Sequence, residues 1–281
     1  LRLMRPININ NTLPGEAAAR GINVQAARPY LGWGAITVRE PSSGSNYHAL
    51  QVSLNQRLTR KISYGIAYTW SKSIDDGSSD RGGSDVPPDS RNARAERAVS
   101  DHDRTQIFTS NFIWSVPGLK HWKPVTSGWQ LSGITRLWTG RPGDVQLSAD
   151  VAGIGATQNQ RPDVIAPSEG PRTVEQWFNR NAFARPKTAT FGNMGRNALR
   201  LPGVNKWDLA IFKSFKVPLE KPTTATLRFE AFNAFNHPNF AVVGTSLTTT
   251  ATAVTPTANS FGVVTGTRDA RVVQVALKVN F

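Results

Sequence analysis

The residues "KISYGIAYTWS" (61–71) alternate with period two. Ile62, Tyr64, Ile66, Tyr68 and Trp70 are apolar or aromatic, and Ser63, Gly65, Ala67, Thr69 and Ser71 between them are small or polar. Successive side chains of a strand point to opposite faces, so this spacing commits one face to apolar surroundings and the other to water. The closing segment "ARVVQVALKVNF" (270–281) repeats the pattern, with Val273, Val275, Leu277, Val279 and Phe281 in one phase and Gln274, Ala276, Lys278 and Asn280 in the other. The chain must therefore be built from two-faced strands, and something must cover their apolar faces.

Further strands follow along the chain. Residues 49–74 read as a hairpin whose first arm sets Leu50, Val52 and Leu54 against Gln51, Ser53 and Asn55, with a basic turn at Thr59–Lys61. Alternation fails from Asp75 to Arg104, rich in Asp, Gly, Pro and Arg, which reads as a long exposed loop. Strands are expected at 105–117 and 129–142, joined by a turn through Gly118–Gly128, and at 206–218 and 224–240, joined by a turn at Leu219–Thr223. Between these pairs lies a polar region from Gly143 to Asn205 with a weak helical hint at "TVEQWFNRNAF"; a Thr/Ala/Pro-rich loop precedes the closing strand. "GWGAITVRE" (32–40) is a candidate extra strand.

The connections thus alternate between short and long. In an up-and-down sheet that puts every short turn on one rim and every long loop on the other, the asymmetry of outer-membrane barrels with short periplasmic turns and longer extracellular loops. The last strand then runs inward, with Phe281 at the periplasmic rim. Its twelve residues at about 3.3 Å each span roughly 40 Å, and a tilt near 40° leaves about 30 Å, enough for an apolar band about 25 Å tall. Tyr68, Trp70, Trp114, Trp129, Trp138 and Trp207 lie near strand ends and are expected to form an interfacial girdle facing lipid. A soluble β-sandwich would alternate in the same way, but its strands are usually five or six residues long.

Composition narrows the function. The chain has 281 residues, a hydrophobic fraction of 39%, 8 tryptophans and no stretch long and apolar enough for a membrane-spanning helix. It has no cysteine, hence no disulfide, thiolate metal site or cysteine nucleophile. Net charge is +14, but the Lys and Arg residues are scattered rather than stacked on one element, which argues against nucleic acid as a partner. The chain opens at Leu1 without a charged-then-apolar leader and is expected to be the C-terminal segment, over residues 1–281, of a longer barrel domain.

Six blocks in order, "NYHALQVSLNQRLTRKISYGIAYTWSKSIDD", "SDHDR", "GWQLSGI" with "TGRP", "FGNMGRNALRLPGVNKWDLAIFKSF", "LRFEAFNAFNHPNF" and "ARVVQVALKVNF", resemble the carboxy-terminal barrel of Oar-like TonB-dependent outer-membrane transporters. The resemblance runs from about Tyr30 to Phe281. It implies a twenty-two-stranded antiparallel barrel with an amino-terminal plug domain, through which the TonB complex moves a bound ligand inward. This sequence departs from that whole: it supplies seven or eight strands and no recognisable plug or TonB-contacting segment. Phe281, Val279, Leu277 and Val275 are similar to the signal by which the barrel-assembly machinery recognises its clients, an edge strand offered for β-augmentation.

The chemistry of sites adds little. His48, His102, His121 and His237 stand far apart with no metal-ligand spacing, and the acidic "DDGSSD" and "DHDR" runs do not follow a calcium loop and read as solvated. No G-x-S-x-G elbow or phosphate loop is present. No metal, cofactor or catalytic residue is expected. Arg228 and Glu230, opposite Leu227 and Phe229, are expected to face the lumen, where they would brace the wall, hold a plug or bind cargo, with bracing the default; Gln274 and Lys278 are expected to face the same lumen. The expected protein is an all-β transmembrane barrel segment with long extracellular loops, contacting outer-membrane lipid and serving uptake of an unidentified ligand. The alternatives are a small passive porin-like barrel and a secreted basic β-sheet binding module.

Overall fold

A computed structural model describes residues 3–59, 61–79, 85–118, 123–218, 221–248 and 260–281. Seven long strands form its frame: β1 (Ser45–Thr59), β2 (Ile62–Asp75), β3 (Gln106–Ser115), β4 (Trp129–Trp138), β5 (Val204–Val217), β6 (Thr223–Phe232) and β7 (Val272–Asn280). Each pairs antiparallel with the next, so the sheet is a meander in chain order. Ala98–Val99 adds a two-residue pairing to β2 where β3 has ended. The strands are 9 to 15 residues long, at or above the 9–11 a tilted membrane-crossing strand needs. Among the described residues the outer edges of β1 and β7 pair with no other long strand, so the sheet is open.

The short connections β1–β2, β3–β4 and β5–β6 all fall on one rim. Thr224 pairs with Asn280, which sets Phe281 on that rim too. Residues 60, 119–122 and 219–220 of these turns, including His121, lie outside the described residues. Local chemistry closes the turns. Lys61 adopts φ 72°, and Gly128 has φ 77° with the Ser214 carbonyl 2.2 Å from where a Cβ would stand, a position open only to glycine. At the opposite rim β6 ends eight residues earlier than the alternation suggests. Asn233 turns left-handed with φ 50°, its N–H donates to Asp208 Oδ1 at 2.9 Å, and its side chain accepts from the His237 N–H at 3.1 Å. Asn tolerates this conformation because its short polar side chain bonds the local backbone.

The register sorts the side chains. Leu50, Trp70, Tyr68, Phe108, Leu137, Leu131, Ile211, Phe229, Leu227, Leu277 and Val275 share one face through direct cross-strand pairs. Gly133 leaves room there: a Cβ on it would stand 2.6 Å from the Phe112 ring and 2.8 Å from Leu209 Cδ2. Gln51, Thr109, Arg136, Lys206, Asp208, Glu230, Arg228, Gln274 and Lys278 share the other face. The apolar face has no cover among the described residues: Leu50 is 55% exposed, Val275 64% and Leu277 63%.

The fully buried apolar side chains lie elsewhere, in the long connections. Val145, Leu147, Val151, Phe178, Phe183, Met194, Leu247 and Phe261 pack into one core, with Phe178, Phe183 and Phe261 in edge-to-face contact at ring separations of 5.1 to 6.0 Å. The reading of 75–104 as a long exposed loop is corrected by the burial of Val86, Ala93, Glu96 and Asp103, and the polar region 143–205 supplies most of this core: the described parts of the long connections are a folded cap. The helical hint at 173–183 is also corrected, since Arg180–Ala182 make one 3-10 turn and Phe183–Ala184 pairs with Asp163–Val164. The candidate strand at 32–40 appears as Thr37–Ser43, paired with Leu3–Asn8 outside the main sheet. That hairpin joins the cap through Arg28, whose guanidinium donates to the Asn10 and Gly155 carbonyls at 2.5 and 2.6 Å.

Candidate functional site: the polar face and its cap

Three ion pairs cross the polar face. Arg136 Nη1 lies 3.6 Å from Asp208 Oδ2, Lys206 Nζ lies 3.8 Å from Asp208 Oδ1, and Arg228 Nη2 donates to Glu230 Oε1 at 2.9 Å. The Arg228 guanidinium also stacks over Phe212, 5.0 Å from the ring centroid. Gln274 stands directly opposite Glu230, and Lys278 opposite Thr226. The four residues read from the sequence as facing a lumen therefore occupy one face, near the open edge of the sheet.

This face is not uniformly polar. Ile113 and Ile134 project from it, each about two-fifths exposed, and with Asn111, Asp208, Ala210 and Glu230 they line a cavity of about 400 Å³. The aromatics divide. Trp114 and Trp129 stand on the apolar face at the short-turn rim, while Tyr68, Trp70 and Trp207 stand on it toward the cap. Trp138 does not belong to this girdle. It pairs with Ile107 and Val204 in the phase of Arg136, so it projects from the polar face. Lys213, which the sequence reading missed, does the converse: it sits on the apolar face opposite Trp129, reaching up to the Val125 and Ser127 carbonyls with its ammonium 5.1 Å from the indole centroid. A cation that bends to a rim in this way keeps its charge out of an apolar medium.

Where the polar face meets the cap, acidic groups expected to be solvated are buried. Asp75 takes Arg196, which also donates to the Glu96 carbonyl at 3.0 Å. Arg161 grips both carboxylate oxygens of Glu96, with Asp144 3.8 Å away. Asp103 receives Arg200 at 2.8 Å, the Ser73 N–H at 2.9 Å and the Thr105 hydroxyl at 3.1 Å. Burial opposes the charge on Asp103, but these donors outweigh it and hold the carboxyl below its ordinary range. For Asp144 burial wins over Arg161 and the Asn197 N–H, and its pKa is pushed up to about 6. The "SDHDR" block is thus a fastener between β2, β3 and the cap. Its His102 ring contacts the Ser78 carbonyl at 3.0 Å and is exposed, as are His48 and His237.

Strands long enough to cross a membrane, an uncovered apolar face rimmed by aromatics and a charged opposite face define a membrane β-wall protein, with lipid on one side and water on the other. The profile of the outer membrane beta barrel domain family matches residues 1–274, and the chain belongs to that family. Its place is the outer membrane. No curated protein matches the chain, and no solved structure does.

Proposed function

We propose that the chain is barrel wall and extracellular cap of a TonB-dependent uptake receptor, in which a plug domain fills the lumen and couples to the TonB complex. The observation that carries this reading is the apolar strip on the luminal face. Ile113 and Ile134, open to the interior beside Asp208 and Glu230, suit a wall against which protein packs and are poorly suited to a water-filled channel. The edges of β1 and β7, unpaired with any other long strand among the described residues, fit a wall continued by further strands. On this reading the chain performs no catalysis, and the barrel-assembly machinery is the partner that reads Phe281, Val279, Leu277 and Val275.

A photo-crosslinking residue at Ile134 in the outer-membrane protein tests the reading. It should capture a protein segment held in the lumen, and the protein should show no steady conductance in planar bilayers. Absence of a crosslink together with a permanently open conductance would contradict it and establish the passive porin-like alternative.

A further inference from the structure

At the junction of wall and cap, Arg136, Trp138, Lys206, Asn239, Arg268 and Asp269 line a pocket of about 380 Å³. Its floor is the polar face of β4 and β5, and its far wall is the connection leading into β7, where the Arg268 N–H donates to the Asn239 carbonyl at 2.7 Å. Positive charge is in excess. Arg136 and Lys206 share the single carboxylate of Asp208, and Arg268 forms no ion pair among the described residues; with Asp269 in the lining, three cations face two carboxylates. The excess extends beyond the pocket: burial and the nearby Arg141, Arg200 and Arg268 charges lower the pKa of Arg104, against the pull of Asp103. Trp138 adds an indole, 38% exposed, on the luminal face, where no lipid interface accounts for it.

We propose that this pocket binds a soluble anion carrying a flat ring, an aromatic or heterocyclic carboxylate or phosphate. The guanidinium groups of Arg136 and Arg268 and the Lys206 ammonium take the anionic end, and the ring lies against Trp138. Arg recognises carboxylate and phosphate through paired N–H donors, and rings stack on indole, so one pocket reads both ends of such a ligand. A lipid headgroup is the wrong source of the anion, because the lipid-facing neighbours Leu137 and Trp207 lie on the opposite side of the sheet. The inference rests on the uptake reading for the direction of ligand entry alone.

The test is calorimetric titration of the detergent-solubilised, heat-modifiable outer-membrane protein with AMP and with indole-3-acetate. Adenosine and inorganic phosphate serve as ring-only and anion-only controls. Both ring-bearing anions should bind saturably, about tenfold or more tighter than either control, and Arg268→Gln and Trp138→Ala should each weaken them by about tenfold. Arg268 is exposed, so its replacement does not threaten the fold, and Lys216→Gln at the far rim should leave binding unchanged. Binding by neither ring-bearing anion, equal binding of AMP and adenosine, or indifference to both pocket substitutions overturns the proposal. Such a failure in protein that remains heat-modifiable, with the Ile134 crosslink still captured, leaves the uptake reading standing.

Discussion

Arg161 and Glu96 stand 65 residues apart in the chain and meet in a buried, two-pronged ion pair beneath the cap. Removing one partner of such a pair strands the other charge out of water, which costs about 3–5 kcal/mol. Arg161→Ala should accordingly abolish hydrogen-exchange protection in the cap while the strands stay protected; unchanged cap protection would contradict the ion pair's role. Asp144, beside the same pair, gives the cap a pH dependence. Its folded pKa of about 6 lies above the ordinary 3.8. Below about pH 4 both states keep the proton, and between about 4 and 6 the unfolded chain releases it first, so cap stability falls through that window and is level above it. Asp103, held below its ordinary value, acts at lower pH and in the opposite sense. Asp144→Asn should flatten the slope between pH 4 and 6, read from cap opening against pH; an unaltered slope would assign it to another group. Little of this was legible in the sequence, where acidic runs without a motif look solvated whether or not an arginine 100 residues away folds onto them. Trp138 is different. It lies nine residues after Trp129, an odd separation that puts the two on opposite faces of an unbroken strand, so parity alone could have separated it from the girdle.

At the scale of elements, period-two alternation located all seven long strands, because in a sheet with lipid on one face and water on the other the solvent writes the pattern into every residue. Strand ends were less legible, since they depend on single turn residues such as Asn233 rather than on periodicity. The cap escaped notice because its core is assembled from apolar residues scattered singly or in pairs through polar runs, among them Val145, Trp177 with Phe178, Leu247 and Phe261. The last strand carries its own prediction. Val275, Leu277, Val279 and Phe281 lie along one face of an open edge, and Phe281 is 89% exposed at the short-turn rim. Phe281→Asp should reduce the amount of protein reaching the outer membrane severalfold, measured by quantitative blotting of membrane fractions. Ordinary membrane levels would count against an assembly signal at this terminus.

At the scale of the whole molecule, the hydrophobic residues occupy two separate places. The cap buries its own in a core, as a water-soluble domain does, whereas the sheet leaves large apolar side chains exposed on one face of all seven strands, and a soluble protein rarely leaves a contiguous apolar patch of more than a few hundred Å² uncovered. At about 1.5–3 kcal/mol for each large apolar side chain left in water, only a lipid surface makes that face stable. These 281 residues contain no cysteine, so no native thiol within them competes in a direct test. Single cysteines placed in turn at residues 272 to 280 of the outer-membrane protein would be challenged with a water-soluble maleimide, and spin labels at the same positions with a lipid-borne relaxation agent. Strict alternation is expected: 273, 275, 277 and 279 shielded from the maleimide and exposed to the lipid agent, 274, 276, 278 and 280 the reverse. Uniform labelling, or alternation in the opposite phase, would contradict it.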